Sequence, residues 1–86
     1  MARTTKTLEQ ILRGTSDANV AFAAMRKLLA DLGFQERIKG SHHIFSRTGI
    51  EEILNLQSKG SKCKPYQVKQ VRSVILRYKL AGIEDA

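Results

Sequence analysis

The sequence predicts an α+β domain: a three-stranded antiparallel sheet with helices on one face. Three observations lead there. Apolar residues recur at helical spacing before residue 34 and again after residue 64. Between 34 and 57 the period changes to that of strands. Within that stretch Gly40-Ser41 and Thr48-Gly49 read as tight turns.

The first element is a short helix in "TLEQILRG". Thr7 and Gln10 have the spacing of a capping box, Leu8, Ile11 and Leu12 form one apolar stripe, and Gly14 stands where the helix must stop. "TSDAN" is polar and reads as a loop. The second helix lies in "VAFAAMRKLLADLG", with Phe22, Met25, Leu28, Leu29 and Leu32 on its core face and Gly33 at its end. "FQERIK" and "HHIFSRT" form a hairpin about Gly40-Ser41. "EEILNLQ" is the third strand, with Leu54 and Leu56 on one face. "SKGSKCK" reads as a flexible basic loop. Pro65 suits the first turn of a last helix, because a missing N–H does no harm there. In that helix Val68, Val71, Ile75 and Tyr78 face the core, while Lys69, Arg72 and Lys79 project to solvent. The order is α-α-β-β-β-α in one domain over 1–86, with 1–18 a helical extension and 19–80 the core.

A chain of 86 residues buries a thin core, about 60% of what it would expose unfolded, and leaves little room for a deep pocket. Chemistry must sit on a sheet face or in a shallow groove. At 42% hydrophobic the chain is too apolar to be disordered throughout. The net charge is +7, and residues 58–86 hold seven of the fifteen Lys and Arg residues. A basic cluster of this kind is the footprint of a polyanion, here nucleic acid, with Lys59, Lys62, Lys64, Lys69 and Arg72 as RNA contacts. Cys63 is the one cysteine, so no intrachain disulfide forms; its lysine neighbours favour a lowered pKa, but without a partner residue it reads as incidental. No apolar run is long enough to span a membrane and no signal h-region follows Met1, so the expected location is cytoplasmic.

"KGSHHIF" at 39–45 is the stretch richest in chemistry. Adjacent strand residues point to opposite faces, so His42 and His43 cannot chelate one metal, and no Cys/His/carboxylate set has ligand spacing. If Phe45 faces the helices, so does His43, and His42 faces away. An imidazole suits proton transfer at neutral pH. RNA carries its own nucleophile, the 2′-hydroxyl, so its cleavage asks a protein only for proton transfer and charge stabilisation at phosphate. Lys39 and Arg37 are the candidate cations, and the backbone about Gly40-Ser41 is a candidate phosphate cradle.

Taken together, "LGFQERIKGSHHIF" and "NLQ…KPYQVKQVRSVI" resemble the HicA family of toxins from bacterial toxin–antitoxin pairs, over roughly residues 20–80. The resemblance implies a double-stranded-RNA-binding-like α-β-β-β-α fold. It further implies a stress-response mRNA interferase, a metal-independent endoribonuclease with neither cofactor nor small-molecule ligand. The histidine after Gly-Ser, His42, would be catalytic, with Lys39 and Ser41 in the surrounding motif. The partners implied are mRNA and a HicB-type antitoxin. Two other readings stay open on the residues alone. One is a non-catalytic basic RNA-binding module; the other is an interaction module whose basic face meets an acidic protein.

Overall fold

Leu8 and Ile11 stand one turn apart and are buried, and they fix the inner face of helix α1 (Ala2–Arg13). The computed structural model describes residues 2–81; Met1 and 82–86, included in the single domain expected from the sequence, lie outside the described residues. Helix α1 begins five residues before Thr7, so Thr7 is interior to the helix and not its N-cap, contrary to the capping-box expectation. Gly14 ends the helix at φ +73°, a conformation that costs any residue with a Cβ. "TSDAN" contains a 3-10 turn at Asp17–Asn19, where a loop was expected.

Helix α2 (Phe22–Asp31) buries Phe22, Met25, Leu28 and Leu29 as the spacing predicts, while Leu32, expected on the same stripe, is the C-cap and half-buried. Strands β1 (Gln35–Lys39), β2 (His42–Arg47) and β3 (Ile50–Leu56) form an antiparallel sheet in the order β1-β2-β3. Gly40 takes φ +61° and Ser41 does not join it at positive φ, which is the II′ pattern that matches strand twist. Phe45, Leu54 and Leu56 point to the helices and are buried. The β2–β3 pairing shifts register between Phe45↔Leu54 and Arg47↔Ile50. One residue of β2 then lies opposite three of β3, and the bulge brings Phe45 level with Leu54, apolar on apolar.

Helix α3 (Pro65–Arg77) starts with Pro65 in its first turn, as expected, and buries Val68, Val71, Val74 and Ile75. Phe22 and Arg26 of α2 reach β1 and β2, and Gln67 and Tyr78 reach β3, so α2 and α3 cover one face of the sheet. Helix α1 packs on α2 and α3 rather than on the sheet. Among the described residues the molecule is thus α+β, with three α-helices, a three-stranded antiparallel sheet and a short second hairpin.

Residues 58–63 are not a flexible loop. They form a second hairpin, β4 (Ser58–Lys59) and β5 (Lys62–Cys63), turning at Gly60 with φ +64°. Phe22 N–H donates to Ser61 O and Cys63 N–H donates to Val20 O, both at 2.9 Å, which pins the hairpin to the segment entering α2. Cys63 is consequently a core residue. Burial pushes its thiol up to about 11, the reverse of the lowering its lysine neighbours suggested. Arg72 does not project to solvent. Its Nη1 donates to Asp17 Oδ1 at 3.0 Å and to Ile11 O at 3.0 Å, and its Nη2 to Asp17 Oδ2 at 3.2 Å, tying α3 to α1 and the 3-10 turn. Lys79 lies past the end of α3 at φ 55° rather than on the helix. No helix among the described residues is long and apolar enough to cross a membrane.

Candidate functional site

Strand parity separates the two histidines as expected. His43 faces α2. Its Nδ1 donates to Glu36 Oε2 at 2.7 Å, and its ring meets Phe22 edge-on at 4.9 Å between centroids. Glu36 also takes two bonds from Arg26, Nε at 2.8 Å and Nη2 at 3.1 Å. The Arg26 guanidinium, more than His43, holds the Glu36 carboxyl below its ordinary value. All three side chains are committed to one another, and together they clamp β1 and β2 to α2.

His42 stands on the opposite, uncovered face. Its Nδ1 lies 3.0 Å from Asn55 Oδ1. An amide oxygen only accepts, so Nδ1 carries the proton and donates. In the neutral ring Nε2 then holds the lone pair, and no described protein group engages it. The register places Lys39 directly opposite His42, and Arg37 opposite Ile44. Side chains directly opposite stand about 5 Å apart at Cβ and diagonal ones about 7–8 Å, so both cations share the face of His42 within reach of one phosphate. Among the described residues neither Lys39 nor Arg37 is in an ion pair.

The Gly40-Ser41 turn continues the site. Ser41 Oγ accepts from Gln57 Nε2 at 2.9 Å, and Gln57 Oε1 accepts from Lys64 Nζ at 3.2 Å. Lys64 is thereby drawn from the start of α3 toward the turn. Space is open where a Cβ on Gly40 would stand, so a ligand can approach the backbone there.

Behind this surface Gln67 is the one buried polar side chain among the described residues. Its Oε1 accepts from Gln57 N–H at 3.1 Å, and its Nε2 donates to Asn55 O at 3.2 Å and to Tyr66 OH at 3.3 Å. Asn55 O and Gln57 N–H are edge groups of β3 and its continuation. The Gln67 amide serves them as a neighbouring strand would, and so fixes the residue that holds His42.

The expected site residues therefore divide. Arg37, Lys39, Gly40, Ser41 and His42 come together on one sheet face, with Lys64 joined to them through Gln57. Lys59 and Lys62 pair with each other across the second hairpin, and Lys69 is exposed on α3. Arg72 is engaged elsewhere. Asn55, Tyr66 and Gln67 were not anticipated as site residues. A glutamine inside an apolar helical stripe was the available signal for Gln67; nothing local marked Asn55. A cavity of about 360 Å³ lies by Arg47, Tyr78 and Lys79. Arg47 is at the other end of β2 from His42, about 16 Å along the strand, so this cavity is separate from the His42 face. Among the described residues no group of three or more His, Cys, Asp or Glu is placed to hold a metal ion.

Comparison with known protein families, with curated proteins and with solved structures returns no match.

Proposed function

We propose that the chain is a metal-independent endoribonuclease, an mRNA interferase of HicA type that acts as the toxin of a toxin–antitoxin pair in the cytoplasm. The observation that carries this function is the state of His42. It is a surface imidazole oriented through Nδ1 by Asn55, with Nε2 open and two unpaired cations on the same face. The succession α2-β1-β2-β3-α3, with the short β4–β5 hairpin inserted before α3 and both helices on one sheet face, supports the double-stranded-RNA-binding-like arrangement that such a toxin would have.

The chemistry follows from those groups. Nε2 of His42 takes the proton of an RNA 2′-hydroxyl. The 2′-oxygen attacks the adjacent phosphorus, a P–O2′ bond forms, and the P–O5′ bond breaks. Lys39 and Arg37 stabilise the charge on the phosphate oxygens as it grows. The imidazolium returns its proton to the departing 5′-oxygen, leaving a 2′,3′-cyclic phosphate and a 5′-hydroxyl. Proton transfer of this kind contributes about 10²–10⁴ in rate. Lys59, Lys62, Lys64 and Lys69 supply sequence-independent backbone affinity. A HicB-type antitoxin would inhibit by covering the His42 face.

The test is digestion of RNA with EDTA present, comparing the parent chain with His42→Ala. The parent should cut and the variant should not. RNA that is bound by both and cut by neither would instead favour a non-catalytic RNA-binding module.

A further inference from the structure

Tyr66 is the most exposed large hydrophobic side chain among the described residues, at 63%. Core packing does not explain its position, yet it is held. It sits in the first turn of α3 directly after Pro65, whose fixed φ makes that turn rigid. Its hydroxyl accepts from Gln67 Nε2, the same nitrogen that donates to Asn55 O. Asn55 in turn orients His42. The next cation back along the chain, Lys64, is tied through Gln57 to Ser41. A rigid, open aromatic face therefore stands at the rim of the candidate site, with its polar end tethered and a lysine beside it.

Exposed aromatic rings flanked by cations are what proteins offer to unstacked bases, with the lysine taking the backbone. Bases inside a duplex present no free face to such a ring. We infer that Tyr66 is the stacking platform for an unpaired nucleobase next to the cleaved linkage, and that the substrate is single-stranded RNA. The inference rests on the ribonuclease function proposed above.

The experiment uses the full chain carrying His42→Ala, so that RNA is bound and not cut. A single-stranded oligoribonucleotide containing 2-aminopurine is titrated with this protein, as is a duplex of the same sequence. Each titration is repeated with Tyr66→Leu and with Tyr66→Phe added. Tyr66→Leu should weaken single-strand binding by roughly five- to a hundredfold, the range that loss of one stacked base produces. It should abolish the 2-aminopurine fluorescence change and leave duplex affinity within about twofold. Tyr66→Phe keeps the ring and should restore both the affinity and the signal. Unchanged single-strand affinity in Tyr66→Leu, or equal losses on single strand and duplex, would overturn the stacking assignment while leaving the ribonuclease function standing. Failure of the His42→Ala protein to bind either RNA would overturn both.

Discussion

Replacing Asn55 with Ala removes the one acceptor that orients His42. The bond is 3.0 Å and exposed, so its net contribution to folding is small, about 0.5–1 kcal/mol. In the proposed reaction its contribution would be larger, because its strength changes as the ring is protonated. When Nε2 takes a proton the ring becomes a cation, and a hydrogen bond from a charged donor contributes about 1.5–3 kcal/mol against about 1 for a neutral one. The difference, about 0.5–2 kcal/mol, is present only as the transition state forms. It corresponds to roughly a two- to thirtyfold fall in the cleavage step. Single-turnover cleavage of an end-labelled RNA, with protein in excess and EDTA present, reads that step apart from binding. The expected result is a lower limiting rate with a half-saturating protein concentration unchanged within about twofold. Asn55→Asp provides the complement. A carboxylate beside the ring favours its protonated form, so the acidic limb of the pH–rate profile should move to higher pH. A limiting rate for Asn55→Ala within twofold of the parent, with no displaced limb in Asn55→Asp, would refute the role given to this contact.

Arg72→Ala strips Asp17 of both its bonds and Ile11 O of its donor in a largely buried setting, and should cost roughly 2–4 kcal/mol in urea unfolding; a loss under about 0.5 kcal/mol would contradict the latch. Glu36 has a folded pKa below its ordinary 4.5, chiefly through Arg26, so its stabilisation is complete above that value and lost as pH falls through the lower folded one. Glu36→Gln should therefore be less stable than the parent at pH 7, by a margin that shrinks as pH falls below 4.5, read by urea melts from pH 7 downward; a deficit unchanged across that range would exclude this linkage. Cys63, buried with its thiol pushed up to about 11, should resist a disulfide reagent at pH 7.5 until urea unfolds the chain; prompt labelling of the native protein would mean that the second hairpin opens readily.

Much of the fold was legible because it is written in local periods. The stripe Phe22, Met25, Leu28, Leu29 predicts α2, and Gly40-Ser41 predicts the hairpin that sets His42 opposite Lys39. Strand parity alone placed His42 and His43 on different faces. The features that were missed depend on distant partners. Two-residue strands have no period, so β4 and β5 exist only through each other and through Val20 and Phe22, some forty residues back. Arg72 looks solvent-facing until Asp17, far away in the chain, is folded against it. The bulge in β2–β3 moves Asn55 from the position opposite His42 to the one opposite Ile44, so the two side chains meet on the diagonal, and apolar matching of Phe45 with Leu54 decides that shift. A turn at Thr48-Gly49 with regular pairing would have set His42 opposite Asn55 and Phe45 opposite Glu52.

The chemistry of the fragment ends is the most direct measurement. RNA cut by the parent chain in EDTA should carry 2′,3′-cyclic phosphate and 5′-hydroxyl termini, as attack by the ribose on its own linkage requires. Fragments bearing 5′-phosphate and 3′-hydroxyl ends would contradict a proton-transfer mechanism centred on His42.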